Sequence, residues 1–330
     1  TESGYNVELA IPLKQLRFTA TDTLQTWGID IARHYPRDRS TQITIQEVDR
    51  DVSCYLCQIS KLQGFEDLEP SRNLEIIPTV TMSSIENRDP AVDDWRREDF
   101  DPQGSLDFRW GITQDLYLNA TINPDFSQVE ADSTQLDINN TFSLFFPERR
   151  TFFLDGADYF DSYENLVHTR NIASPEYGLK LTGKTGDHTY GIMAANDETT
   201  SFIIPKNLSS RIASIDDMQS KVAIGRYRMD IFENSTIGAL VTDRRGNGYN
   251  NTVFSLDASL RPTDSDTISI QSMHSSSDYP LMVQNQYAQK SSLSDNSHVI
   301  EYNHSDRRWD WRLGYYDWGD DFRVDLGFIN

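Results

Sequence analysis

No run of about 18 consecutive apolar residues occurs in this 330-residue chain, which excludes a membrane-spanning helix. Hydrophobic residues make up 37% and mean hydropathy is -0.58, too polar for a helical membrane protein. A barrel is not excluded, because strands that alternate apolar and polar residues average out to the hydropathy of a soluble chain. Cysteine is nearly lacking: Cys54 and Cys57 are the only two. A structural zinc site needs four ligands, so one C-x-x-C does not make one, and no βαβ pattern supports a redox motif. In an oxidising compartment the pair can form a local disulfide. Basic residues are scarce, 30 Lys and Arg against 51 Asp and Glu, for a net charge of -21. That field repels phosphates, so no nucleic-acid partner is expected. It serves solubility, or alternatively divalent-cation or lipopolysaccharide contact through loop carboxylates. The chain opens on Thr1-Glu2-Ser3-Gly4 with no signal peptide, inside a strand-like pattern, and closes as abruptly on Gly327-Phe328-Ile329-Asn330. Both ends read as processing boundaries or truncations. No Walker loop, H-E-x-x-H, G-x-S-x-G or EF-hand loop occurs.

What is present is alternation of period 2, the mark of half-buried strands. Tyr5 to Ile11, Thr26 to Ala32 and Gln42 to Val48 are short β runs, and Pro12 to Phe18 holds at most one helical turn. A junction punctuated by Gly64 and Pro70 spans 62–72. Beyond it the texture changes to about twelve alternating segments of roughly 8–13 residues, the spacing of barrel strands. They fall at 73–85, 104–113, 115–123, 175–184, 188–196, 219–229, 234–243, 251–261, 267–276, 297–304, 308–317 and 321–329. Trp309, Trp311, Leu313 and Tyr315 oppose Asp310, Arg312 and Gly314; Phe322, Val324, Leu326 and Phe328 oppose Arg323, Asp325 and Gly327. Alternation alone also suits a soluble sandwich. The connections argue for a barrel, since short ones (Thr113-Gln114, Gly186-Asp187, 231–233, 262–266, Ser305-Asp306) alternate with long ones (86–103, 124–174, 197–218, 277–296). Outer-membrane barrels pair short periplasmic turns with long extracellular loops. The stretch 244–250 is of medium length, and Trp318-Gly319-Asp320 is short where a long loop is due. Aromatic residues, 11% of the chain, gather near strand ends, as in Tyr315-Tyr316 and Trp318, where barrels carry interfacial girdles.

The most specific text lies in the middle. Asn123-Pro124-Asp125-Phe126-Ser127-Gln128-Val129-Glu130-Ala131-Asp132 is followed by Phe145-Phe146-Pro147-Glu148-Arg149-Arg150-Thr151-Phe152-Phe153-Leu154-Asp155-Gly156. These runs resemble the signature of the DUF5916 family, bacterial outer-membrane proteins of unknown function. Leu9 to Phe18, Trp27-Gly28-Ile29 and Arg33 to Arg37 look like the end of the family's carbohydrate-binding family 9-like module. Asn73 to Pro78 resembles its first barrel strand, and His168 to Ile172 and Gly178 to Gly183 its continuation. The resemblance implies an all-β fold: a partial antiparallel transmembrane-type β-barrel preceded by the end of a β-sandwich. Residues 1–66 would be the C-terminal part of that sandwich and 67–330 the barrel, with 124–174 a long inward-folded loop or plug. Relative to the family, much of the sandwich and the last barrel strands are missing. The resemblance also implies a bacterial outer-membrane location with the N-terminal module in the periplasm, and outer-membrane lipid and a carbohydrate ligand as partners.

A loop as long as 124–174 is functional or disordered, and its apolar clusters Phe142 to Phe146 and Thr151 to Leu154 argue against disorder. Folded inward, it would set Arg149, Arg150 and Arg170 against Asp125, Glu130, Asp132 and Glu148 across a pore, a transverse field that confers selectivity. The plainer alternative is that these residues lock the loop to the wall through ion pairs. Carboxylate pairs for glycoside hydrolysis, Asp125 with Glu130 or Asp155 with Asp158, lack a recognisable setting, so no catalytic residue is assigned. Trp27 and Tyr35 are candidates for stacking on sugar rings, with Tyr5, Tyr55 and His34 nearby in the chain, although Trp27 in an alternating strand also suits a core. Loop-bound calcium stays open at Asp93-Asp94 and Asp216-Asp217; no metal site or other cofactor is assigned, and the oligomeric state is unspecified. The leading expectation is an outer-membrane barrel that passes or presents a ligand such as an oligosaccharide. The alternatives are a non-transporting scaffold or adhesin, and a secreted carbohydrate-active β protein.

Overall fold

The alternating segments form strands in the computed structural model, which describes residues 6–11, 18, 24–36, 40–66, 68, 74–84, 86–89, 94–97, 101–124, 126, 142–206, 209–215 and 218–329. The N-terminal part holds β1 (Gln25–Ile29), β2 (Ala32–Pro36), β3 (Ser40–Thr44), the single-turn helix α1 (Tyr55–Gln58) and β4 (Ser60–Phe65). β1 pairs with β4, and β2 with β3, as separate two-stranded sheets. Cys54 and Cys57 are disulfide-bonded across the start of α1. Three expectations shift here. Residues 6–11 are not a strand, and Val7, Leu9 and Ile11 are exposed. A strand needs a hydrogen-bonding neighbour, and the described residues provide none. The expected 26–32 and 42–48 move to β1, β2 and β3, and the region read as a junction begins with β4.

Next come β5 (Leu74–Ser83), β6 (Glu86–Asp89), β7 (Asp94–Arg97), β8 (Asp101–Gly111), β9 (Leu116–Ile122), the short helix α2 (Thr151–Leu154), β10 (Pro175–Thr185) and β11 (His188–Asp197). Then follow β12 (Thr200–Lys206), β13 (Ser209–Ile215), β14 (Ser220–Ile231), β15 (Ser235–Gly246), β16 (Tyr249–Leu260), β17 (Asp266–Asp278), α3 (Leu281–Tyr287), β18 (Ser292–Ser305) and β19 (Asp310–Trp318). Eleven of these strands make one antiparallel sheet in the order β19-β18-β17-β16-β15-β14-β11-β10-β9-β8-β5. The hairpins β6–β7 and β12–β13 stand apart, inside two of the long connections.

The sheet curls. Asp155 lies 3.6 Å from Arg109 on β8, while Tyr163 Oη is 3.5 Å from Tyr316 Oη on β19. In a flat sheet β8 and β19 would stand about 43 Å apart at about 4.8 Å per strand. The chain from Asp155 to Tyr163 reaches at most about 29 Å. A wall that curves around that chain brings both strands within side-chain reach of it. The sheet is a partial barrel, open between β5 and β19.

Its two faces differ: the concave face mixes buried polar and apolar side chains, and the convex face exposes apolar ones. On the concave face Lys180, Thr242, Arg244, Asn251, Ser255 and Gln271 are buried at 1% exposure or less. On the convex face Ile192, Leu256 and Leu313 are more than half exposed. The outer residues form rows: Ile237 pairs with Ala258, Ala258 with Ile270, Ile270 with Ile300, and Ile300 with Tyr315. At the first edge Ile76 pairs with Phe108 and Leu74 with Trp110, all facing outward. A soluble sandwich buries its apolar face, whereas here the apolar rows lie on the exposed convex face.

Connections at one end are 112–115, 186–187, 232–234, 261–265 and 306–309; at the other they are 84–100, 123–174, 198–219, 247–248 and 279–291. The medium-length connection tightens to 247–248 because β15 and β16 each extend further than their apolar pattern. The long loops carry structure of their own, β12–β13 and α3, whose Phe202, Ile204 and Val283 pack with Tyr249, Tyr279 and Leu293 of β18.

The expected last strand, 321–329, does not form. Phe322, Val324 and Leu326 turn into the lumen, and so does Asp325, whose carboxylate accepts hydrogen bonds from Tyr249 (2.7 Å) and Tyr279 (2.9 Å). Period-2 alternation cannot separate burial against lipid from burial against a lumen. With no strand following, the anomalous short loop at 318–320 disappears.

Candidate functional site

The segment 142–174 lies against the concave wall. Phe152, Phe153, Phe160 and Ile172 are buried against Met193 and Ala195 of β11 and Val222 and Ile224 of β14. Two glycines make room: a Cβ on Gly178 would stand 2.8 Å from the Phe152 ring, and one on Gly191 would stand 3.0 Å from Phe160. Leu166 packs on Leu240, Val253, Met273 and Val299 further round the wall.

Charged groups fasten the segment. Arg150 donates to Glu148 (2.7 Å) and to the carbonyls of Ile172 (2.7 Å) and Thr169 (2.7 Å). Burial alone would push Glu148 up, but bonds from Arg150, Thr169 and the Arg150 backbone outweigh it and hold the carboxyl at about 2. Lys180, on β10, donates its ammonium to the carbonyls of Phe152 and Asp155. Asp197 accepts from the backbone N–H of Ala173 (3.1 Å) and Ser174 (2.7 Å) and pairs with Arg244 at 2.7 Å, both side chains fully buried. Arg244 also donates to the carbonyls of Asn171 (3.1 Å) and Ser201 (2.6 Å), so one guanidinium ties the segment, the β12–β13 hairpin and the wall together. Burial lowers His168 from 6.5 to about 4, with Glu148 opposing and Arg170 and Arg150 reinforcing. Its ring packs between Phe145 and Phe328.

Beside α2 the segment leaves a cavity of about 520 Å³ against the inner faces of β5, β8 and β9. Arg149, Asp155 and Phe152 wall it on one side, and Glu75, Asp107, Arg109 and Asn119 on the other. Asp155 accepts from Asn119 Nδ2.

The structure therefore joins Glu148 to Arg150 within one loop, rather than across an open lumen. Arg149 lines the cavity and Arg170 sits in a short 3-10 turn, Thr169–Asn171. Asp125, Glu130 and Asp132 lie outside the described residues. Trp27 is packed between Phe18 (5.5 Å) and Phe65 (4.3 Å, stacked), with its Nε1 donating to Gln25. Tyr35 is exposed on the other small sheet with Arg33 over its ring at 5.8 Å, so the structure does not bring the two rings into one pair of strands. Tyr55 donates to Asp30. Among the described residues no cluster of His, Cys, Asp or Glu is arranged to hold a metal ion; Asp93, Asp216 and Asp217 fall outside them. Sequence reasoning passed over Asn119, Lys180, Asp197 and Arg244. Their signal was a charged or amide side chain on the polar face of a strand, the face that turned out to be buried.

Among solved structures the chain is similar to outer-membrane-expressed OmpT of Vibrio cholerae, at 9% identity and TM-score 0.34, covering 92% of this chain and 89% of that one. It is also similar to the OmpT variant of Vibrio cholerae that lacks loop L8, at 9% identity and TM-score 0.30, covering 74% of this chain and 95% of that one. No relative is found among curated protein sequences. The sequence model of DUF5916, described as a domain of unknown function, matches residues 70–211, the stretch from β5 through the wall-bound segment to the β12–β13 hairpin. Residues 70–211 of this chain thus resemble a DUF5916 domain over somewhat less than half of its length.

Proposed function

We propose that the protein is an outer-membrane barrel whose lumen passes a small polar solute past the wall-bound segment 142–174. The observation that carries this reading is the sheet's two faces, one that exposes apolar side chains outward and one that buries charged and amide side chains such as Lys180, Arg244 and Gln271 among apolar ones within. A lumen lined in part by charged and amide groups beside a ligand-sized cavity suits a conduit, and a segment that lies across that lumen suits a gate.

The N-terminal part supports an orientation. Ser53 N–H donates to the Asp264 carbonyl (2.7 Å), Ser265 Oγ to the Asp51 carbonyl (2.7 Å), and Arg307 N–H to Asp51 (2.8 Å). These contacts seat it on the short turns, which in outer-membrane barrels face the periplasm. In this reading residues 1–66 are the periplasmic, carbohydrate-module-like end of a β-sandwich, and 67–330 are the barrel. A protein with both parts would hand a glycan fragment from one to the other.

The test is single-channel recording of the full-length protein in planar bilayers, with and without 142–174. Deletion is expected to raise conductance; unchanged conductance counts against the gate. The dense anchoring of the segment favours a second reading, a closed barrel that only anchors a scaffold or adhesin. A correctly inserted barrel that conducts no ions and takes up no sugar, before or after deletion, would establish that reading instead.

A further inference from the structure

Buried polar atoms in a folded protein are almost always hydrogen-bonded, and exceptions gather where a ligand or water completes them. Among the described residues ten buried side-chain atoms lack a partner, and four of them lie together on the inner faces of β8 and β9: Ser105 Oγ, Arg109 Nε, Asn119 Oδ1 and Thr121 Oγ1. Arg109 and Asn119 are directly paired across the two strands, and Thr121 pairs with Asp107 on the next inward rung. Arg109 and Asn119 line the 520 Å³ cavity beside α2. Asn119 is only 7% exposed, and its Nδ2 is already given to Asp155, so its orphan oxygen is a fixed acceptor.

We infer that this cavity is a binding site for a neutral, hydroxyl-rich solute of the sugar class. Arg109 Nε needs an acceptor and Asn119 Oδ1 needs a donor. An ammonium ion cannot accept, and a carboxylate or phosphate dianion cannot donate; a hydroxyl does both. The formal charges agree. Glu75, Asp107 and Asp155 outnumber Arg109 and Arg149 around the cavity, so an anion meets net repulsion; an ammonium is disfavoured by the acceptor that Arg109 Nε demands, not by charge. Ile77, Phe126 and Phe152 add an apolar side on which the C–H face of a sugar ring can rest. The volume falls in the range of small-ligand sites, roughly 300–1,000 Å³. The proposal deepens the solute-passing reading and depends on it only for how the solute arrives.

The experiment is calorimetric titration of the full-length protein in detergent micelles with D-glucose, D-galactose, gluconate and glucosamine, using only preparations whose gel mobility shifts on heating. Saturable binding of a neutral sugar, stronger than gluconate or glucosamine, is expected. Asn119→Leu and Arg109→Met should each weaken it about tenfold or more, because each strands a buried polar group. Glu75→Gln, which removes one negative charge from the cavity wall at nearly constant shape, should strengthen gluconate relative to the neutral sugars, in line with reduced like-charge repulsion. It keeps the test decisive if either larger change prevents folding. No saturable neutral-sugar binding, or gluconate preferred in the parent protein, overturns the site and leaves only hydration of the orphan atoms. Conductance on the same preparation separates the two claims. Binding without conductance removes the passage reading and keeps the site; conductance without binding does the reverse.

Discussion

Replacing Arg244 by Met tests whether the wall-bound segment is held by a dry ion pair. Arg244 and Asp197 are both fully buried, 2.7 Å apart, so no water screens the carboxylate that remains when the guanidinium goes. The change also releases the carbonyls of Asn171 and Ser201 and the hydroxyl of Ser220. Removing one partner of a buried pair costs about 3–5 kcal/mol, mostly as an uncompensated charge. Asp197 keeps its bonds from Ala173 and Ser174, which places the expected loss near the lower bound, about 3 kcal/mol. The assay is urea unfolding in micelles, read by the heat-sensitive gel shift, with limited proteolysis of 142–174 followed in parallel. Arg244→Met should lower the midpoint and speed cleavage of the segment. Arg244→Met with Asp197→Asn should recover much of the loss, because the stranded charge is gone. A single variant costing less than about 1 kcal/mol, or a double variant no better than the single, would refute a desolvated pair as the anchor.

Three further outcomes follow from the same geometry. His168 is held at about 4 in the folded protein against 6.5 unfolded, so the unfolded chain takes the proton first. Its contribution is intact above about 6.5 and is lost as pH falls toward 4, in total about 3 kcal/mol; His168→Phe should flatten that limb of the acid-unfolding curve, and superimposable curves would contradict the burial argument. Gly178→Val drives a methyl group into Phe152, and should cost about 1–3 kcal/mol and increase tryptic cleavage after Arg149 and Arg150; an unchanged cleavage rate would show that α2 does not rest on that wall. Leu256→Arg, on the outer face, should cost about 2–4 kcal/mol in a bilayer if it lies near the midplane. For a soluble protein an exposed Leu256 would tolerate the change within about 0.5 kcal/mol, so a neutral result would speak against lipid contact.

Much of the architecture was legible from alternation and loop length, and the failures share a cause. Eleven of the twelve expected segments are strands within a few residues, because Val, Ile, Tyr and Phe at every second position suit only a pleated surface with one apolar side. The twelfth misled because Phe322, Val324 and Leu326 alternate as well, and nothing in one sequence tells a lumen from a bilayer. The pattern at residues 5–11 misled because alternation announces a face, not a partner. Of the site, Glu148, Arg149 and Arg150 were legible through an unusual cluster in a long loop, although Glu148 and Arg150 join each other rather than opposing across a channel. Asn119, Lys180 and Arg244 were hidden because a polar residue on a strand's polar face looks solvated until the loop that covers it is seen.

The central claim is that the polar face of the sheet is inside and the apolar face meets lipid. Nitroxide labels placed singly at residues 251–260 of β16, in the full-length protein reconstituted in liposomes, test it most directly by their collision rates with oxygen and with a water-soluble nickel complex. The account predicts a period of two, with oxygen maxima at Phe254, Leu256 and Ala258 and minima at Val253, Ser255 and Asp257. Oxygen maxima at the odd positions, or no contrast between neighbouring residues, would contradict it.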